Sequence, residues 1–267
     1  MPGSTVAAIS SLVMRGAVGL RAIQFALERR GATVWAVPTV VMPWHPGLGR
    51  STRTAMPDLS AQLAELSERA GEVDAVLTGY FATAEQVTAA ASFIDAVRAV
   101  NPAAPILVDP VCGDERGRYV PDAVADAIRD ELLTRADVAT PNANELRDLA
   151  GGGPAVEAAR RLGPPAVVVT SAGGAEGRTG AMLVHAGTVV VAEHRVVHPA
   201  PRGTGDLFGA IFLSARIGGM DEAGALREAA AATLGVIEAS GHEALALAAA
   251  QDVIARPPLD SVAMRLV

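Results

Sequence analysis

Short runs of β-branched and aliphatic residues alternate with longer stretches whose apolar positions recur every three or four residues. Residues 6–10 (VAAIS), 32–41, 75–80 (AVLTGY), 105–110 (PILVDP), 138–141 and 166–171 (AVVVTS) read as strands. Residues 16–30, 59–70, 83–100, 122–135, 144–150, 155–162, 203–217, 222–240 and 243–255 read as helices. In the first helix Val18, Ala22, Phe25 and Ala26 share a face, Arg21 and Glu28 to Arg30 lie elsewhere, and Gly31 supplies a C-terminal stop. Residues 180–197 read as a hairpin and 43–57 as a long polar loop bearing Gly and Pro. Strand and helix alternate almost throughout, which predicts an α/β fold with a mostly parallel central sheet and helices on both faces. No repeat, linker or break in composition interrupts the pattern, so residues 1–267 are expected to form a single domain. In such sheets ligands gather outside the carboxyl ends of the strands.

The residues that fill this pattern narrow the chemistry. Half of them are hydrophobic but only 3% are aromatic, so the core must be aliphatic, as suits parallel strands covered by Ala-rich helices. The net charge is −7 and there is no basic tract, which argues against nucleic acid or an anionic membrane as partner. Every basic residue other than histidine is an arginine; the chain has no lysine. A Walker-type phosphate loop and a pyridoxal-phosphate Schiff base both require lysine, so both are excluded as usually built. One cysteine, Cys112, precludes an intrachain disulfide or a cysteine-based zinc cluster. No apolar run reaches the length of a membrane span and the first residues lack a signal-peptide pattern, giving the expectation of a cytoplasmic protein.

Polar residues then concentrate where strands end: Ser10 and Ser11, Thr78 to Tyr80, Asp109 to Asp114, and Thr140 to Glu145. A fifth cluster, Gly203-Thr204-Gly205-Asp206, opens an apolar helix. Small residues there leave backbone N–H groups free to point at an anion such as a transferring phosphoryl group, and the helix dipole favours it. Asp206 in the first turn is placed to take the proton of an attacking hydroxyl; its alternative use is as an electrostatic cap. Asp109 and Asp114, with Asn142 and Glu145 three residues apart at a helix start, form an oxygen-rich edge suited to Mg²⁺ that keeps water and phosphate as further ligands. Taken singly, Asn142 is also an N-cap, Glu145 a first-turn acid and Asp109 a turn former before proline. The five histidines show no metal-ligand spacing, and Cys112 reads as a small buried filler.

These motifs resemble pyridoxal kinases of the ribokinase superfamily, nearly from end to end. SLVMRGAVGLRAIQF (11–25) is similar to the family's S-x-V-x-x-G-x-V-G-N-x-A segment. VLTGY (76–80), DPVCGD (109–114), YVP (119–121), TPNANEL (140–146), VVVTS (167–171), GTGDLF (203–208) and AQDVIARP (250–257) follow in the family's order. The resemblance implies a ribokinase-like three-layer α/β/α sandwich, typically homodimeric. It implies ATP-dependent phosphorylation of the 5′-hydroxymethyl group of pyridoxal, or of pyridoxine or pyridoxamine, with Mg²⁺ and in some members a monovalent cation. Carried over residue by residue, Asp206 is the general base and Gly203, Thr204 and Gly205 the anion hole. Ser11, Val18, His45 and Tyr80 line the vitamer pocket. Asp109, Asp114, Tyr119, Thr140, Asn142, Glu145, Thr170 and Ser171 lie along ATP, with Asp109 and Glu145 on the metal.

The chain departs from the family at Leu20, where an Asn is expected, at Pro46, where a Thr follows the loop histidine, and at Met42-Pro43-Trp44, a stretch usually polar. Each removes hydrogen-bonding capacity near the acceptor pocket, which bears on substrate choice. Two other functions are therefore carried forward: a kinase of the same fold acting on hydroxymethylpyrimidine or another hydroxymethyl heterocycle, and a non-catalytic B6-binding regulatory protein.

Overall fold

A computed structural model describes residues 3–174 and 176–267. β1 (Thr5–Arg15), α1 (Leu20–Arg29), β2 (Thr33–Trp44), β3 (Thr54–Ala55), α2 (Leu59–Ser67), β4 (Ala75–Thr78), α3 (Ala84–Val100) and β5 (Ile106–Val108) form the first part of the chain. A small hairpin follows, β6 (Gly113–Asp114) and β7 (Gly117–Arg118), then α4 (Asp122–Ala127), β8 (Val138–Ala139), α5 (Ala143–Leu149) and α6 (Ala155–Leu162). The last part comprises β9 (Ala166–Gly173), β10 (Arg178–His185), β11 (Thr188–Arg195), α7 (Thr204–Ile217), α8 (Glu222–Glu238), α9 (Gln251–Ala255) and β12 (Ala263–Leu266).

Among the described residues ten strands make one sheet in the order β12-β11-β10-β9-β8-β5-β4-β1-β2-β3. Its middle, from β9 to β2, is parallel, and the flanking pairs are antiparallel. Period-two alternation sorts each central strand between two cores. Val6 and Ala8 of β1, Leu77 of β4, Leu107 of β5 and Val168 of β9 pack with α1, α7 and α8. Ala7, Ile9, Val76, Ile106, Val108, Val167 and Val169 face the other way, onto α2 to α6. The result is the expected three-layer α/β/α sandwich.

The structure moves several expected boundaries. β1 runs five residues past Ser10, because its pairing with β2 resumes after an irregularity between Ser10 and Leu12 and continues to Trp44. The first helix begins at Leu20 rather than at residue 16; Gly16 (φ 105°) and Gly19 (φ 57°) turn the chain first. The 122–135 helix is divided, α4 giving way to a wide turn over Ile128–Leu132 and a tight one over Leu133–Arg135. Only Gln251–Ala255 of the expected 243–255 helix is helical. The 43–57 loop is partly ordered by the end of β2, a short turn at Pro46–Leu48 and β3. No helix among the described residues is long and apolar enough to cross a membrane.

Candidate active site

Parallel pairing places the polar strand ends side by side. In register, Ile9 lies opposite Thr78, Thr78 opposite Val108, Val108 opposite Ala139 and Ala139 opposite Val167. The ladder continues past the strands: Gly79 N–H donates to Ile9 O (2.9 Å), Asp109 N–H to Thr78 O (2.9 Å), Thr140 N–H to Val108 O (3.0 Å) and Thr170 N–H to Pro141 O (2.9 Å). Ser10, Asp109, Thr140 and Thr170 therefore stand in one row along the sheet's carboxyl edge, with Ser171 at φ 53° just beyond.

α7 meets this row end-on. Its N-cap, Gly203, has φ 98°, and a Cβ there would lie 2.2 Å from the carbonyl oxygen of Ala17. Only glycine satisfies both conditions. Three residues on, Asp206 Oδ2 accepts the Gly19 N–H at 2.8 Å. Gly19 in turn lies so close to Ser11 that a Cβ would come within 2.2 Å of the Ser11 carbonyl oxygen. The 16–19 turn is thus clamped between Ser11 and the start of α7. Opposite, Asp109 Oδ2 lies 3.9 Å from the position a Cβ on Gly205 would take.

Burial raises three of these acids. Asp109 is held well above the ordinary carboxyl range, first by burial and then by the charges of Glu145 and Asp206. Burial pushes Asp206 up to about 6, against the opposing effect of its Gly19 hydrogen bond. Glu145 is pushed up to about 7 by burial, although three backbone N–H groups favour its charged form. At the end of β4 the buried Thr78 Oγ1 has no hydrogen-bond partner among the described residues; beyond β5, at the end of β8, the Thr140 side chain hydrogen-bonds the Asp109 carboxyl and favours its charged form. A buried hydroxyl left open as that of Thr78 is awaits a ligand or water.

Glu145 and Asn142 carry structural work as well. They form a reciprocal capping box at the start of α5: Asn142 Oδ1 accepts from Asn144 N (2.9 Å) and Glu145 N (3.0 Å), and Glu145 Oε2 accepts from Asn142 N (2.8 Å). Asn142 Nδ2 donates to Gly113 O (2.9 Å), so its carboxamide is committed to holding the β6–β7 hairpin. Cys112, in the same turn, is buried and its thiol is pushed up to about 12 by burial, consistent with a filler. Tyr119 follows the hairpin, tied by its N–H to Cys112 O (3.0 Å), with its side chain partly exposed.

On the other side lies a region built around Tyr80 and His45. Tyr80 is buried; its N–H donates to Ser10 Oγ (3.2 Å), and its hydroxyl accepts from Arg53, whose guanidinium lies 5.1 Å from the ring centroid. His45 Nδ1 accepts from Gly47 N (3.0 Å), and burial, Arg202 and Arg53 hold it below its usual value, so it is neutral near pH 7. A cleft of about 180 Å³ is lined by Val18, His45, Gly47, Leu48, Pro201 and Arg202, among others. A larger hollow of about 490 Å³ lies at the opposite end of α7, beside Arg29, Arg30 and Ser214, away from the acids. Arg53 lies in a loop with no motif to mark it; Gly19 and Arg202 adjoin recognised motifs, but their contacts depend on the course of loops that no periodicity encodes.

Comparison with known proteins decides the family. Residues 29–248 match the family model described as phosphomethylpyrimidine kinase. Pyridoxal kinase PdxY of Rubrobacter xylanophilus is 34% identical over 96% of this chain and 96% of its own. The corresponding protein of Pseudomonas paraeruginosa is 35% identical, with 97% of each covered. The chain belongs to the pyridoxal kinase family. Among solved structures, pyridoxal kinase from Leishmania donovani in complex with ADP and pyridoxamine superposes with a TM-score of 0.89 at 26% identity, covering 99% of each chain. Members of this kinase family are ATP-dependent phosphotransferases, and so is this chain.

Proposed function

We propose that this chain transfers the γ-phosphoryl group of ATP to the 5′-hydroxymethyl oxygen of pyridoxal or a close B6 vitamer, using one domain built from residues 1–267. The observation that carries the reading is Asp206. Its carboxyl sits in the first turn of a glycine-capped helix, is fixed by the Gly19 N–H at 2.8 Å, and is raised to about 6. A base with that value is ionised at neutral pH yet basic enough to accept an alcohol proton as the oxygen attacks phosphorus. The N–H groups of Gly203, Thr204 and Gly205 and the α7 dipole stabilise the charge carried by the transferring group. Ser11, Val18, His45 and Tyr80 border the acceptor side. Asp114, Tyr119, Thr140, Asn142, Thr170 and Ser171 border the nucleotide side, Asn142 by placing the hairpin rather than by direct contact.

Among the described residues no cluster of three or more His, Cys, Asp or Glu forms a closed metal cage. Asp109, buried and with its ionisation disfavoured by the charge of Glu145, would together with Glu145 fit a Mg²⁺ ion that takes its remaining ligands from phosphate and water. When bound there, Mg²⁺ would neutralise phosphate charge. In this reading the protein is a cytoplasmic homodimer.

Two features set the vitamer above the pyrimidine: full-length similarity to pyridoxal kinases, and the absence of a Gly-rich first-strand segment of the pyrimidine branch. A coupled ADP-release assay with pyridoxal, pyridoxine, pyridoxamine and hydroxymethylpyrimidine tests it. The expected result is kcat/KM at least about tenfold higher for a vitamer than for the pyrimidine. Turnover of the pyrimidine alone would move the chain to the second reading. ATP-independent vitamer binding without turnover would move it to the regulatory one.

A further inference from the structure

Five carboxylates, Asp109, Asp114, Glu115, Glu145 and Asp206, surround or adjoin the place where a polyanion must sit, in a chain of net charge −7 that has no lysine. Positive charge must therefore come from the α7 N-terminus, a metal on the Asp109 side, or an arginine. Arg202 immediately precedes the N-cap Gly203, lines the acceptor cleft and lies close enough to His45 to depress its protonation. Its side chain is 47% exposed and bridges to the β6–β7 hairpin through Asp114 (3.5 Å) and Glu115 (3.4 Å).

Those contacts are loose compared with those of neighbouring arginines. Arg15 is bound by Glu243 at 2.5 Å. Arg118 is held by Asp148 at 2.8 Å and Asp122 at 2.6 Å. Charge-assisted hydrogen bonds normally lie at about 2.7–2.9 Å, so Arg202 is in ion-pair range of two acids without a close bond to either carboxylate. Exposed pairs of this kind contribute little to stability and are easily exchanged.

We propose that Arg202 is a phosphoryl-binding arginine: it leaves Asp114 and Glu115 and engages the γ-phosphoryl group of ATP from the acceptor side, opposite the Asp109 and Glu145 edge. The proposal rests on the kinase reading above. In the transfer, the acceptor oxygen–phosphorus bond forms and the bond from phosphorus to the ADP oxygen breaks. The hydroxymethyl proton passes to Asp206; Arg202 keeps its own protons and supplies charge only. Because Asp114 and Glu115 sit on the hairpin, the same exchange frees the hairpin to settle over the nucleotide only when a γ-phosphoryl is present. The site then senses the difference between ATP and ADP through one side chain.

The test compares wild type, Arg202→Ala and Arg202→Lys, each first checked for an unchanged thermal melt. Isothermal titration with AMP-PNP and with ADP, both with Mg²⁺, reads the γ-phosphoryl preference without turnover. Arg202→Ala is expected to weaken AMP-PNP about tenfold and ADP less than about twofold, and to lower kcat about 10²-fold with the vitamer KM little changed. Added guanidinium should restore part of the lost kcat, and Arg202→Lys should fall between the two. Equal weakening of AMP-PNP and ADP, or a kcat within about twofold of wild type, would overturn the role. If wild type turns over no vitamer, the substrate reading fails, yet the AMP-PNP to ADP ratio still decides Arg202.

Discussion

Asp206 and its neighbours are costly to ionise, and that cost is measurable. Asp109, Glu145 and Asp206 are all raised, so between about pH 4 and 7 the folded protein binds more protons than the unfolded chain. Their contribution to stability is fully present below the unfolded carboxyl values and is lost as pH rises through about 6 for Asp206 and about 7 for Glu145. Asp109→Asn should therefore raise the Tm of the ligand-free protein at pH 7.5 and flatten its decline from pH 5.5, as read by calorimetric scans; a lower Tm at both pH values would refute the electrostatic account. Catalysis runs the opposite way. Protonated Asp206 cannot accept the alcohol proton, so kcat/KM should fall about tenfold per pH unit below about 6. A flat profile between pH 5 and 7 would show that another group takes the proton.

Elements position these residues through a few backbone requirements. At Gly203 the φ of 98° coincides with the 2.2 Å approach of the Ala17 carbonyl. Gly203→Ala should destabilise the fold by about 2–3 kcal/mol in urea titrations and lower kcat more than the Tm change explains, since the 16–19 turn would be pushed off Asp206. Asn142→Ala should cost about 1–2 kcal/mol through loss of the α5 cap and raise the KM for ATP, because Glu145 and the hairpin lose their common anchor. An unchanged KM would separate the hairpin from nucleotide binding. Legibility also varied by element. The long strands and α3, α7 and α8 were readable because they carry full hydrophobic periods. The 243–255 stretch, Ala-rich and of high helix propensity, was misread: Leu245, Leu247 and Ala250 are all buried, a spacing an α-helix does not bring to one face, and Ser240 Oγ accepts the Ala246 N–H at 2.8 Å to hold a turn. The two-residue strands β6 and β7 are too short to carry any period, and β12 has only four residues.

At the scale of the whole molecule, the site follows from parallel pairing. Once the strand order places β1, β4, β5 and β8 together, the polar residues at their ends are neighbours, which is why residues as distant in sequence as Ser10, Asp109 and Thr140 were recognisable as one edge. Contacts that depend on side-chain reach were not recognisable: Arg53 on Tyr80, Gly19 on Asp206, and Arg202 across to the hairpin. These lie on loops, whose course no periodicity encodes. The central claim is that Asp206 removes the acceptor proton, and Asp206→Asn tests it most directly, because asparagine retains an oxygen for the Gly19 N–H. Steady-state turnover of pyridoxal should fall about 10²- to 10⁴-fold while pyridoxal and AMP-PNP affinities, measured by titration on the same sample, stay within about threefold. Turnover within about tenfold of wild type, with binding intact, would contradict the account.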